Sequence, residues 1–251
     1  MVYVTGDCHA DFRKFSTKAF PEQKTMTRDD IVIVCGDFGI WHDTDEERYW
    51  LKWLSKKNFT LVFVDGNHEN FDRLYGNEFP IVDFHGGKAH MIRKNIYHLM
   101  RGYVFEFDGK KFFAFGGASS HDIQDGILDV EDFETEHEFY ETVKRWYAQG
   151  KWFRINHVSW WKQEIPTQDE LAFGLQTLIH NNNKVDYIIS HCCPQEVASF
   201  LGFREPDTLT SWFNMVAHTV QFDRWYFGHY HDNKQAMGKF ILLYEKIERV
   251  L

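Results

Sequence analysis

Apolar positions along this chain alternate between two rhythms. Short unbroken runs rich in β-branched and aromatic residues occur at Val2-Tyr3-Val4, Ile31-Val32-Ile33-Val34, Leu61-Val62-Phe63-Val64, Tyr187-Ile188-Ile189 and Trp225-Tyr226-Phe227. They read as β-strands. Between the early runs the spacing turns helical, with Trp50, Trp53 and Leu54 on one face behind Thr44-Asp45-Glu46-Glu47, which reads as a capping box. Strand–helix–strand units with short connections predict a parallel sheet. Runs at 103–107 and 111–115 flank Asp108-Gly109, a pair that tolerates the positive φ angles of a tight hairpin, so a mixed or second sheet is expected to begin there.

The alternation breaks from about residue 116 to residue 183. Phe139, Val143, Trp146 and Tyr147 keep helical spacing, as do Leu171, Leu175, Leu178 and Ile179 behind the capping box Thr167-Gln168-Asp169-Glu170, and Trp160-Trp161 lies between them. These helices are expected to cover the sheet, with a mobile lid as the sharper alternative. Alternation resumes at 186–190, followed by a helix that aligns Leu209, Trp212, Phe213 and Val216 and by strands at 223–227 and 240–244. With no internal repeat, low-complexity tract or linker, the expectation is one domain over residues 1–251 with a helical, cap-like insertion at about 116–183.

Chemistry collects at the ends of the strand runs. Asp7-Cys8-His9, Asp37, Asn67-His68, His191 and His229-Tyr230-His231 each follow one of them. Carboxylate, imidazole and amide oxygen are donors for hard and borderline metals. The carboxyl ends of neighbouring strands in an open α/β sheet form one rim where ligands gather. Together the clusters point to a two-metal hydrolytic site.

Composition narrows the setting. No stretch approaches the roughly 20 apolar residues that cross a bilayer, and the first residues enter a strand without a charged leader, so a cytoplasmic protein with no membrane attachment is expected. Four cysteines in such a chain of 251 residues are not a disulfide framework. Cys8, Cys35, Cys192 and Cys193 match no zinc spacing and read as small buried fillers. A net charge of −9 argues against an extended nucleic-acid partner, which needs clustered Lys and Arg. A small phosphorylated substrate held by metal ions remains compatible with that charge. Oligomeric state is left open by the sequence.

In order, Gly6-Asp7-Cys8-His9, Gly36-Asp37, Gly66-Asn67-His68-Glu69, the isolated His191 and Gly228-His229-Tyr230-His231 resemble the motifs of the calcineurin-like metallophosphoesterase superfamily, over residues 7–231. The resemblance implies an α/β fold, a four-layer α/β/β/α sandwich with two facing mixed sheets. It implies that Asp7, His9 and His231 hold a first metal, that Asn67, His191 and His229 hold a second, and that Asp37 bridges both. His68 would be the catalytic acid that protonates the leaving oxygen, with Glu69 or another acid orienting its ring. The glycines beside these ligands are expected to permit sharp turns from strand to loop. Four His, two Asp and one Asn favour Mn, Fe, Zn, Co or Ni over Ca, with Mn preferred. The implied activity is hydrolysis of a phosphate monoester or diester by a hydroxide bridging two divalent ions.

Departures from the family's protein Ser/Thr phosphatases are informative. Those enzymes carry an arginine just before the GNHE motif and another in GDxVDRG. Here the stretches are Val64-Asp65-Gly66-Asn67 and Gly36-Asp37-Phe38-Gly39-Ile40-Trp41, with neither arginine. Substrate contacts are expected instead from Arg73 or from the loop Gly116-Gly117-Ala118-Ser119-Ser120-His121-Asp122, where Ser119, Ser120 and His121 could face the metals. His42, His85, His90, His98, His137, His157, His180 and His218 match no motif and read as surface or structural. Phe38, Trp160 and Trp161 could stack a base but read first as core. Two alternatives stand beside the hydrolase: a non-catalytic scaffold on the same fold, and a nuclease acting on short oligonucleotides.

Overall fold

The unbroken apolar runs become strands with a hydrophobic layer on each face, as parallel sheets require. In chain order the elements are β1 (Val2–Thr5), β2 (Ile31–Val34), α1 (Asp45–Leu54), β3 (Thr60–Phe63), α2 (Phe71–Leu74), β4 (Ile81–Phe84), β5 (Gly87–Arg93), β6 (Ile96–Leu99), β7 (Tyr103–Phe107), β8 (Lys110–Phe115), β9 (Gly126–Leu128), α3 (Glu136–Ala148), β10 (Phe153–Ile155), α4 (Gln168–His180), β11 (Tyr187–Ser190), α5 (Gln195–Leu201), α6 (Thr208–Thr219), β12 (Arg224–Phe227), β13 (Lys234–Ala236), β14 (Phe240–Leu242) and β15 (Ile247–Arg249). This computed structural model describes residues 1–203 and 206–251.

Two mixed sheets are formed, in the orders β15-β1-β2-β3-β6-β5-β4 and β13-β14-β12-β11-β8-β7. The metal-motif strands are the parallel ones: β1 pairs with β2 and β2 with β3, and in the other sheet β11 pairs with β8 and β12. Strand alternation divides the side chains between three hydrophobic layers. Val2, Val4, Ile31, Ile33 and Val62 of the first sheet meet Phe105, Phe112, Ile189 and Tyr226 of the second. The opposite faces of β2 and β3, through Val32, Val34, Leu61 and Phe63, pack on Leu51 and Leu54 of α1 and Leu74 of α2. Phe113, Ile188, Trp225 and Phe227 pack outward on Leu171 and Leu178 of α4 and Leu209, Phe213 and Val216 of α6. The result is the four-layer α/β/β/α sandwich.

Asp108 (φ 50°) and Gly109 (φ 70°) make the tight turn between β7 and β8. The α4 capping box is present, with Thr167 and Glu170 each bonding the other's backbone N–H. At α1 only half of the expected box forms. Thr44 accepts from Glu47 N, while the Glu47 carboxylate turns back to Trp41 N and His42 N. Those loop N–H groups lie close to the site and have no backbone partner among the described residues, so they take the acid that the helix start would otherwise use.

Residues 116–183 are not purely helical. Besides α3 and α4 they contain β9 and β10, which pair in parallel as a separate two-stranded sheet. Leu128, Phe139 and Phe153 form a small core there, with Phe133, Val143 and Trp146 against it. Tyr147 and Ile179, assigned to buried helix faces by spacing, are exposed. Among the described residues no helix is long and apolar enough to cross a membrane.

Candidate metal centre

The parallel strands of both sheets deliver the motif loops to one rim. Several loop residues stand in the left-handed region although they are not glycine: His9 (φ 47°), Asp37 (φ 46°), His229 (φ 69°) and His231 (φ 49°). Each such conformation costs free energy and persists where the surroundings over-determine it, commonly at functional sites. Here the surroundings are backbone bonds between loops, since Cys8 N and His9 N both donate to Asp37 O, at 3.0 and 2.7 Å. Of the motif glycines Gly6, Gly36, Gly66 and Gly228, only Gly36 (φ 91°) has the positive φ expected of a turn glycine. Gly66 and Gly228 serve close approach instead, because a Cβ there would run into the carboxylates of Asp37 and Asp7.

Two groups of donors converge. In the first, His9 Nε2 and His231 Nε2 are 2.9 Å apart, and Asp7 Oδ2 lies 3.5 and 3.2 Å from them. In the second, His191 Nε2 lies 3.3 Å from Asp37 Oδ2 and 3.3 Å from Asn67 Oδ1. Asp37 Oδ2 is also 3.7 Å from His9 Nε2 and so stands between the groups. Asp7 borders both as well, a sharing that the resemblance assigned to Asp37 alone. His229 falls in neither group. Its ring packs 4.9 Å from that of His191, and its Nε2 is 2.7 Å from His121 Nε2. The 116–122 loop thus reaches the donor residues through His121.

Outer partners orient these donors. His191 Nδ1–H donates to Cys35 O at 2.7 Å, which turns the Nε2 lone pair toward Asp37. Asp37 Oδ1 accepts from His68 N and Asp7 Oδ1 from His229 N, each at 2.9 Å. Burial works against charge on Asp7 and Asp37, but His191 and the neighbouring histidines hold both well below the usual carboxylate range. Burial likewise opposes a charged His191, yet Asp37 and Asp7 raise it to about 10. Burial, reinforced by His191 and His121, pushes His229 well below the ordinary histidine value. The four cysteines are buried free thiols, and burial pushes Cys8 and Cys193 up to about 12, far from thiolate chemistry.

His68 stands beside the first group, its ring centroid 5.4 Å from that of His9. Burial lowers its pKa, with Asp37 acting the other way. Glu69 does not orient this ring. Its Oε1 accepts from Phe38 N at 2.7 Å, its Oε2 has no partner among the described residues, and burial with Asp37 raises its pKa well above the ordinary value. Arg73 is held by Glu47 at 2.7 Å and by Glu78 at 2.6 Å. Two carboxylates complement its guanidinium through three of its five N–H donors. Phe38 is core, stacked 4.2 Å from Phe63.

Ser120 lies in the loop the sequence singled out, Asp65 stands where the arginine is absent, and Arg154 and Glu164 carried no sequence signal. Ser120 Oγ accepts from Asn67 Nδ2 at 3.4 Å and donates to Glu164 at 2.6 Å. Arg154, paired with Asp122, shares a small cavity with His68. Asp65, in the place of the absent arginine, is buried beneath Arg101 and His98. A groove of about 430 Å³ runs from His9 past Trp41 and Trp50. A hollow of about 540 Å³ lies against His121, Phe203, His229 and His231.

The family model described as calcineurin-like phosphoesterase matches residues 1–233. No curated protein matches the chain.

Proposed function

The chain belongs to the calcineurin-like phosphoesterase family, and from that premise we propose that it hydrolyses a small phosphate ester, monoester or diester, with two divalent transition-metal ions. The observation that carries this reading is the convergence of Asp7, His9 and His231, and of Asp7, Asp37 and His191, with ligand atoms of each group within 4.8 Å of one another. The donor chemistry fits the metals: neutral imidazole nitrogens and ionised carboxylates suit Mn, Fe, Zn, Co or Ni. Asp7, His9 and His231 would hold one ion and Asn67, His191 and His229 the other, with Asp37 shared; Mn is the preferred metal. Two such ions would supply positive charge to the phosphoryl group and lower the pKa of a water toward neutrality.

The protein's own groups do the rest. Cys35 O and the His68 and His229 N–H groups fix the orientation of His191, Asp37 and Asp7, so the donors need no rearrangement. Hydrolysis exchanges the P–O bond to the leaving group for one to water, and the departing oxygen needs a proton. His68 is the donor in this reading. Its backbone is tied to Asp37 and Trp41, while its ring nitrogens make no hydrogen bond among the described residues. A lowered pKa makes the protonated ring the minor form and a stronger acid.

The test is His68→Ala, assayed on esters with leaving groups of graded acidity while bound metal is counted by elemental analysis. Metal should stay at about two ions per chain. General acid catalysis typically contributes about 10²–10⁴-fold, so kcat/KM should fall by that much for poor leaving groups and far less for p-nitrophenolate. A uniform loss accompanied by missing metal would make His68 a ligand or support and end the acid assignment.

A further inference from the structure

We propose that the small cavity beside His68 is a leaving-group subsite that accepts a planar aromatic ring, so that the substrate class is phosphate esters of aryl or nucleoside alcohols. This rests on His68 marking the leaving-group side of the centre. The cavity holds about 140 Å³ and is lined by Trp41, His42, His68, Arg154, Val158, Ser159 and Trp161. None of the seven candidate metal ligands touches it. The groove of about 430 Å³ borders His9, the hollow of about 540 Å³ borders His229 and His231, and a further space of about 420 Å³ borders Asp7, so these lie on the metal side.

Its wall chemistry selects a ring. Both indole N–H groups are already used, Trp41 donating to His68 O and Trp161 to Asp72 Oδ2 at 2.7 Å. What remains for an occupant is the π surface of the half-buried Trp41, with Trp161 almost wholly buried behind it as an apolar wall. The Arg154 guanidinium is held by Asp122 through Nε at 2.8 Å and Nη2 at 2.6 Å. That pairing cancels its charge locally and fixes its plane, which favours stacking over capture of a second anion. Usual ligand pockets hold about 300–1,000 Å³, so this one suits a single ring, with the phosphoryl group outside at the metals.

The cavity is also held in shape. Arg154, Val158, Ser159 and Trp161 come from the segment around β10, whereas Trp41 and His68 follow the strands of the first sheet. Asp72 of α2 clasps the two sides together, accepting from His157 Nδ1 at 2.8 Å as well as from Trp161. A ring bound there is positioned against His68, and such positioning contributes to the rate beyond simple affinity.

The experiment uses the metal-reconstituted full chain, with Val158→Trp to fill the cavity and Trp41→Leu to remove one ring face. Val158 is half exposed, so the fold should tolerate the larger side chain. Two esters with leaving groups of matched acidity are compared, one aryl and one fluorinated alkyl, together with a nucleoside 5′-monophosphate. Wild type should prefer the aryl ester by about tenfold or more in kcat/KM, and both variants should erase the preference, mainly through KM. The nucleoside arm tells which source of ring is used. Calorimetric binding of phenylphosphonate against methylphosphonate reads the subsite without turnover. Tighter phenylphosphonate binding in wild type only, with neither ester hydrolysed, would keep the subsite and sink the hydrolase. Hydrolysis with no aryl preference, or a preference that survives in both variants, would overturn the subsite and leave the hydrolase standing.

Discussion

Glu164→Gln should remove a pH dependence from the stability of this protein. Glu164 is 2% exposed and accepts from Ser120 N at 2.9 Å and Ser120 Oγ at 2.6 Å. Burial raises its pKa from 4.5 to about 7, outweighing the Ser120 donors, which favour the charged form. Because the folded pKa lies above the unfolded one, folding retains a proton. The stabilising share of this group is therefore complete below about pH 4.5 and is lost as the pH rises through about 7. At about 1.4 kcal/mol per pH unit the full window is worth roughly 3 kcal/mol, of which roughly 2–3 kcal/mol falls between about pH 5 and about pH 8. Glutamine keeps the shape and can still accept from Ser120 N and donate to Ser120 Oγ, but it cannot ionise. The assay is thermal unfolding of both proteins across that range, with chelator throughout because bound metal would add its own pH-dependent stabilisation. For a chain of this size about 2–4 °C accompanies each kcal/mol. The variant's Tm should gain on wild type by roughly 5–10 °C from the acid to the alkaline end. A difference that stays flat with pH would show Glu164 titrating as a solvated carboxyl, and the argument from burial would be wrong.

Two further substitutions probe the supports of the site. Arg101→Met should cost about 3–5 kcal/mol in denaturant unfolding, because Asp65, fully buried and paired to Arg101 at 2.5 and 3.0 Å, would lose its cation; adding Asp65→Asn should restore much of that loss, and a small effect of the single change would mean that His98 alone suffices. Gly66→Ala should lower metal content while circular dichroism stays native, since its Cβ would push on the Asp37 carboxylate; full metal occupancy would show that the loop can yield.

Sequence alone determined which residues could become a metal centre and roughly where. Asp7, Asp37, Asn67, His191 and His229 each follow an apolar run, and a parallel strand that must be buried on both faces leaves its polar chemistry only at its end. Continuous apolar strands alternating with one-sided helices demand covered sheets, but the four-layer order itself was implied only by the resemblance to the family. Spacing could not decide where the remaining polar side chains turn. Glu47 chose loop N–H groups and Arg73 over completing its helix cap. Glu69 went to Phe38 N rather than to its neighbour His68, and His121 met His229 across 108 residues of chain. A charged or hydrogen-bonding group settles where burial leaves an unmet partner, and those partners exist only once distant segments are packed together. Arg154 and Glu164 carry no motif because their roles arise from that packing: β10 and the 116–122 loop come to lie beside Asn67 and His68 only in the folded chain.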